Sequence, residues 1–455
     1  MLSIIVLSVV SVLMLMLSAF NQRKLVLPLA ALGMIATIAL SIGDIDNGDA
    51  YFNNMLFIDN LSAILSICIG LVMIGVFAVA TKYYHDNVPH LSDLFALLVF
   101  STIGGLLLMN YSNLTMLFVA LEILSIPLYV LAGSHRDDLR GNESALKYFI
   151  MGAFASAIML FGIALVYGAT ASFDLISIHS WLVTDNSTMF QLGAVLIVFG
   201  FLFKIAVAPF HFWAPDVYQG APSIITMYMS TVVKIAAVAG LWRFMSLAGY
   251  GDINSNVPLL PYLICTVIVL TLVFATISAL KQTNFKRLMA YSSISNGGLL
   301  LLPFLVLNNP AALCIYLLAY AIANVLLFTI YIAIKQATND AEIEAFKGMM
   351  KCQPVLGMGL FIGMLSLSGV PPLAGFFGKL YLLLGVANAA WWGMAIVAIV
   401  ASLIGLYYYV RVALAALQPA TTQLHCPAVY KWVVVVCSFL LIVLGFFSGL
   451  IADCF

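Results

Sequence analysis

The chain has 455 residues, of which 64% are apolar and only 8% charged, with a mean hydropathy of +1.13. Soluble globular chains carry roughly 25% charged residues, so a water-facing globule is excluded. Eighteen basic and eighteen acidic residues cancel; no overall charge points to nucleic acid or an acidic substrate, and the information lies in where the charges sit.

A bilayer core needs about 20 apolar residues per helix, and the chain divides on that basis into about fourteen spans joined by short loops. The first runs from Leu2 to Phe20 and precedes Arg23 and Lys24. A secretory signal carries its basic residues before its apolar stretch, so this run reads as a retained helix. The expected organisation is a single membrane domain: three N-terminal helices over 1–90, a first unit over 91–247, a second over 260–412, and a loop with a last helix over 413–455. One set of alternate loops holds Arg23, Lys24, Lys82, Arg136, Arg140, Lys281, Lys286, Arg287, Lys335, Lys347, Lys351, Arg411 and Lys431. The other is acidic or neutral, with Asp44, Asp46, Asp49 and Asp252 and only Arg243 near a helix end. Positive charge marks the cytoplasmic side, which predicts a multi-pass protein of a bacterial inner membrane with both termini periplasmic.

Two stretches interrupt this pattern. Residues 204–222 read KIAVAPFHFWAPDVYQGAP and residues 367–379 read LSGVPPLAGFFGK. Proline removes a backbone donor and clashes with the preceding turn, so a helix should unwind around 205–222, with halves centred near Ile197 and Ile225, and another around 369–376, with halves near Phe361 and Leu384. Unwound backbone inside a membrane needs protein or a water-filled cavity to satisfy it. The predicted fold class is therefore an all-α polytopic membrane protein with two inverted repeats of about five helices each, one broken helix in each repeat. Proline kinks used only for packing are the alternative.

Ionisable groups at bilayer depth cost about 2.5 to 3.5 kcal/mol each on insertion scales and default to function. Glu122, in LFVALEILSIPLYV, is too far along the chain from any loop charge to reach an interface. Lys204, just before the first break, is its expected counter-ion; a structural pair clamping two helices is the competing reading. Lys234 and Lys379 are embedded in apolar sequence, and buried lysine readily changes protonation state. Joined by water, such groups would form a proton relay, although Lys379 could instead snorkel to an interface. Lys147, near a helix start, could feed the relay or simply follow the positive-inside bias. His211, in the unwound PFHFWAPD, could exchange a proton near neutral pH or satisfy frayed backbone. Asp216 is expected to cap the second half-helix. The cysteines form no CxxC and no Cys/His cluster, which predicts no metal or iron–sulfur site, and no glycine-rich phosphate loop is present.

The blocks KIAVAPFHFWAPDVYQGAP, KQTNFKRLMAYSSIS and LSLSGVPPLAGFFGKLYLL resemble the membrane-arm antiporter-like subunits of NADH:quinone oxidoreductase, respiratory complex I, over about Asp59 to Tyr409. The ending DVYQGAP is similar to the subunit N branch rather than to L or M. The resemblance implies that the family's glutamate and lysine pair falls on Glu122 and Lys204, its bridging lysine on Lys234, its terminal lysine on Lys379, and a further lysine on Lys147. Where the family often has histidine after SSIS, this chain has Asn296. Water oriented by Asn296, or the hydroxyls of Tyr291, Ser292 or Ser293, must then carry the proton there.

The resemblance further implies that FMN and iron–sulfur clusters reside in partner subunits, with no cofactor or metal in this chain. Quinone is then a substrate of the whole translocase, and the partners are the other membrane and peripheral subunits and lipid. Opening the Glu122–Lys204 pair would send a proton towards Lys234 and Lys379. A subunit of a multi-subunit sodium or potassium/proton antiporter, or a purely structural linker, would use the same sequence differently.

Overall fold

The computed structural model describes residues 1–20, 22–84, 91–135, 137–184, 187–247, 259–307, 309–338, 340–419 and 426–449. Arg136, Asp252 and Cys454 lie outside the described residues. In chain order the elements are α1 (Leu2–Ala19), α2 (Val26–Gly43), β1 (Asp49–Tyr51), β2 (Leu56–Ile58), α3 (Asn60–Tyr83), α4 (Leu91–Asn110), α5 (Leu114–Ala132), α6 (Leu139–Thr170), α7 (Leu175–Thr184), α8 (Thr188–Ile205) and α9 (Trp213–Gly220). There follow α10 (Ser223–Leu247), α11 (Leu259–Leu280), α12 (Phe285–Leu300), α13 (Pro310–Thr338), α14 (Met349–Cys352), α15 (Pro354–Ser368), α16 (Ala374–Asn388), α17 (Trp392–Ala415) and α18 (Ala428–Phe446). Thirteen helices among the described residues are long and apolar enough to cross a membrane. Adding α15 and α16 as the halves of one broken span gives about fourteen, as the length argument predicts.

The count is right, but one assignment within it is not. Residues 223–247 form one unbroken 25-residue helix, α10; the stretch around Ile225 is its beginning and not the second half of a broken helix. The reason is local. Past Pro222 no proline interrupts the run to Leu247, and its apolar residues are buried all round. The second half of the first broken helix is the eight-residue α9 alone. An antiparallel two-stranded hairpin, β1 with β2, occupies the acidic segment read only as a loop.

Both breaks begin the same way. Helix α8 ends at Ala206, with φ 61°, whose N–H donates to the carbonyls of Leu202 and Phe203; α15 ends at Gly369, with φ 85°, whose N–H donates to Leu365 and Ser366. Left-handed residues close helices by returning bonds to the last turn. Beyond the first break the Ala208 N–H donates to Thr271 Oγ1 on α11 at 3.0 Å, and the Trp213 indole donates to the Phe203 carbonyl at 3.2 Å. Protein groups thus satisfy part of the unwound backbone, which membrane depth requires.

Burial sorts the helices into an inside and an outside. Helices α10 and α13 are buried along the whole of a membrane-length window, whereas α1, α2, α6, α17 and α18 expose apolar faces, as at Phe154, Leu403 and Phe439. Lys234, Ser292, Ser293, Asn296, Tyr316 and Tyr320, described below, lie on α10, α12 and α13.

Candidate functional site

The first lysine sits in a cage of hydroxyls. Lys204, in the last turn of α8 and 4% exposed, donates from Nζ to Ser125 Oγ on α5 at 2.7 Å and to the Tyr148 hydroxyl on α6 at 3.2 Å. Its Nζ also lies 5.4 Å from the Tyr148 ring centre, within cation–π range. Tyr148 is stacked on Trp213 at 4.7 Å, which ties the cage to the second half of the broken helix. Beside Lys204, Ser125 and Tyr129 lies a cavity of about 10 Å³, room for a single water.

Glu122 is not in this cage. It is part-exposed on α5, between the outward-facing Val119 and Ile126, and makes no contact ion pair with Lys204, although its charge is near enough to act on that lysine. Side-chain direction explains the difference from the expected pair. Ser125, one turn further along α5, faces Lys204, while Glu122 lies on the outer flank of the same helix.

Lys234, on α10 and 2% exposed, donates to the carbonyl of Ser293 and to Ser293 Oγ at 2.7 Å. Ser293 Oγ also accepts from the Tyr320 hydroxyl at 2.9 Å and lies 3.4 Å from that of Tyr218. A Cβ at Gly297 would approach Lys234 Nζ to 3.4 Å and Val207 to 3.0 Å, so glycine keeps space between the lysine and the break. One residue earlier on α12, Ser292 belongs to a second cluster. Its Oγ is 2.5 Å from the Tyr409 hydroxyl, Asn296 Nδ2 donates to that hydroxyl at 3.2 Å, and the Tyr316 hydroxyl donates to Asn296 Oδ1 at 2.7 Å. Adjacent serines of α12 thereby sit in two neighbouring hydroxyl clusters. Tyr291 is part-exposed and hydrogen-bonds to none of these groups.

Lys379, on α16 and 8% exposed, reaches back across the second break and donates to the carbonyls of Leu367 at 2.7 Å and Ser368 at 3.1 Å, the end of α15. A cation at a helix C-terminus meets both free carbonyls and the negative end of the dipole. It does not snorkel to an interface. A Cβ on Gly378 would lie 2.9 Å from Tyr316 Cα, so the Asn296 cluster abuts the helix that carries Lys379.

At the lysine-rich end of the first break, Asp216 receives Lys147 on Oδ2 at 2.8 Å and Arg287 on Oδ1 at 2.9 Å; Lys147 also meets Glu143 at 2.7 Å. This corrects the expected cap: Asp216 lies inside the first turn of α9, whose N-cap Phe212 supplies no side-chain bond, and its carboxylate bridges α6 to α12 instead. Arg140, Glu143, Lys147, Asp216 and Gln219 line an open cavity of about 280 Å³ there. Lys286, read as a loop charge, is buried and donates to the carbonyls of Ala221 at 2.5 Å and Gln219 at 3.5 Å, closing the end of α9. His211 stands apart, its ring 4.5 Å from Phe212 and 6.4 Å from Phe274, with Nδ1 unpartnered.

Ser125, Tyr148, Tyr218, Tyr316, Tyr320 and Tyr409 belong to these clusters but did not stand out in the sequence. A signal was available in part: Tyr316 and Tyr320 are four residues apart and so share a helix face. Among the described residues no group of three or more His, Cys, Asp or Glu is placed to hold a metal.

Fold and site together describe a polytopic, predominantly helical membrane protein with buried lysines at two helix breaks. Residues 112–405 match the family described as NADH:quinone oxidoreductase/Mrp antiporter, transmembrane. A relative from Cytophaga hutchinsonii named NADH-quinone oxidoreductase subunit N is 39% identical over 91% of this chain and 90% of its own length. A chain of respiratory complex I from Thermus thermophilus superposes with a TM-score of 0.87 at 33% identity, covering 99% of this chain and 98% of that one. A chain of the Mrp complex from Dietzia sp. has a TM-score of 0.89 at 19% identity, a likeness of fold alone. The chain belongs to the NADH:quinone oxidoreductase/Mrp antiporter family, within its subunit N group.

Proposed function

We propose that this chain is the proton-conducting subunit N of a bacterial NADH:quinone oxidoreductase, and that Lys204, Lys234 and Lys379 carry the proton. The observation that supports this reading best is the environment of the three lysines. Each is buried without a carboxylate partner, and two of them are held by hydroxyls that can themselves pass a proton. The route runs from the Lys147–Asp216–Arg287 mouth past Tyr148 to Lys204, then to Lys234, through Ser293 and Ser292 to Asn296, Tyr409 and Tyr316, and on to Lys379. Asn296 orients the hydroxyls and does not titrate; Glu122 acts on Lys204 through its charge. Electron transfer from NADH to quinone takes place on FMN and iron–sulfur clusters in partner subunits and reaches this chain as a change in that field.

Moving one charge against the membrane potential costs about 2.3 kcal/mol per 100 mV, and two charges separated at low dielectric interact by several kcal/mol, so shifting Glu122 relative to Lys204 is an adequate lever. The loop charges support an inner-membrane orientation with both termini periplasmic, and the two breaks support the division into repeats over 91–247 and 260–412. The test is protons pumped per NADH oxidised in inverted vesicles, with Lys204→Ala and Lys234→Ala at matched assembly. Pumping and coupled oxidation fall together if the lysines conduct; normal pumping in both variants would make the subunit structural. Sodium-dependent pumping would favour the cation-antiporter reading.

A further inference from the structure

Away from the lysine row, α3, α13 and α18 enclose an apolar groove of about 270 Å³ lined by Gly75, Ala78, Leu318, Ile322, Val436 and Leu440, among others. Small residues hollow its α3 wall: a Cβ on Gly75 would already lie 3.1 Å from Val325 Cγ1. All three walls are membrane-length apolar helices, so the groove opens to hydrocarbon.

One end of the groove is polar. Gln336 Nε2 donates to the Lys82 carbonyl at 3.2 Å, and the Tyr430 hydroxyl donates to Gln336 Oε1 at 3.0 Å. These bonds tie the ends of α3 and α13 to the start of α18, and so bring Lys82 and Lys431 to the same rim. Lys82 is exposed and Lys431 part-exposed, and neither has an ion-pair partner among the described residues. Trp432, also lining the groove, is 70% exposed; tryptophan concentrates at the headgroup level of membranes.

We propose that this groove binds an anionic phospholipid of the phosphatidylglycerol class, with one acyl chain in the groove and its phosphate between Lys82 and Lys431. The shape selects hydrocarbon over protein, since a helix with its side chains is about 10–12 Å across and does not enter a groove of this volume. The charge selects the headgroup. Two cations at the rim with no counter-ion among the described residues complement a net negative lipid, and the positive-inside bias places them at the inner leaflet, where basic groups attract anionic lipid.

The test uses the assembled complex in vesicles containing photoactivatable phosphatidylglycerol or phosphatidylcholine, with labelled peptides identified by mass spectrometry. Phosphatidylglycerol is expected to label the α3 and α18 segments more strongly than phosphatidylcholine. Lys82→Gln and Lys431→Gln should each lower that labelling by roughly fivefold, leaving phosphatidylcholine labelling unchanged. Equal labelling by the two lipids, labelling that ignores both substitutions, or absence of label because a partner subunit covers the groove would each overturn the proposal. The readout does not depend on pumping, so it stands or falls separately from the lysine relay.

Discussion

The two broken helices solve the same backbone problem with opposite arrangements of charge. In the first, Lys204 precedes the break and donates to the hydroxyls of Ser125 and Tyr148, while the short second half, α9, is held by Lys147, Arg287 and Lys286. In the second, Lys379 follows the break and bonds back to the carbonyls that α15 leaves open. In the proposed relay, holding the helix and carrying the proton are therefore divided among several side chains at the first break and combined in one lysine at the second. Lys204 is held by hydroxyls and caps no helix end, whereas Lys379 bonds the two carbonyls that close α15, so its side chain also matters to the end of that helix.

The largest expected effects come from closing either break with a methyl group. A Cβ on Gly375, in the first turn of α16, would lie 1.9 Å from the Ser366 carbonyl oxygen; one on Gly220, at the end of α9, would lie 1.9 Å from Ser144 Oγ and 2.5 Å from the Arg140 carbonyl. Overpacking of this kind costs about 1–3 kcal/mol and sometimes more. Gly375→Ala should abolish or severely reduce assembled complex on native gels, because backbone atoms block it. Gly220→Ala should be milder and partly rescued by Ser144→Ala, which removes the nearer obstacle. Equal losses with no rescue would show that the two breaks are equally rigid.

Next in size is the contrast between the lysines themselves. Lys379→Met leaves the Leu367 and Ser368 carbonyls without their charged donor, and hydrogen bonds to charged groups are worth about 1.5–3 kcal/mol. Lys204→Met leaves Ser125 still donating to the Leu121 carbonyl at 2.5 Å and removes no helix cap. Both variants should stop pumping, but Lys379→Met should lower the heat-inactivation temperature of the complex more than Lys204→Met. The same loss for both would erase the distinction drawn between a caged and a capping lysine.

How much of this was legible in the sequence follows from which interactions are local. Hydropathy and proline marked the spans and both breaks because those signals act within a helix. The eight-residue α9 was misjudged because Pro222 punctuates its end as strongly as Pro209 its beginning, leaving α10 whole. Buried lysines stood out against an apolar background, but their partners did not. Whether Lys204 meets Glu122 or Ser125 depends on which flank of α5 faces α8, and one residue of rotation decides it. The tyrosines were hidden for a related reason: tyrosine is at home as an interfacial anchor or a packed ring, and only the assembled α12, α13 and α17 reveal that Tyr316, Tyr320 and Tyr409 turn their hydroxyls towards Ser292, Ser293 and Asn296.

The smallest expected effect concerns the mouth of the first break, which has no counterpart at the second among the described residues. Asp216 is 39% exposed and Lys147 41%, so their attraction is screened by water and worth at most about 1 kcal/mol. Asp216→Asn should leave assembly intact and slow pumping by less than about fivefold. The difference from wild type should shrink as salt rises, since exposed pairs are screened over a Debye length of about 8–10 Å at moderate ionic strength. Pumping rate against salt concentration in inverted vesicles measures this directly. Complete loss of pumping in Asp216→Asn would move Asp216 from the mouth of the proposed relay into the relay itself, and would make the first break match what is proposed for the second, with one residue both holding the helix and handling the proton.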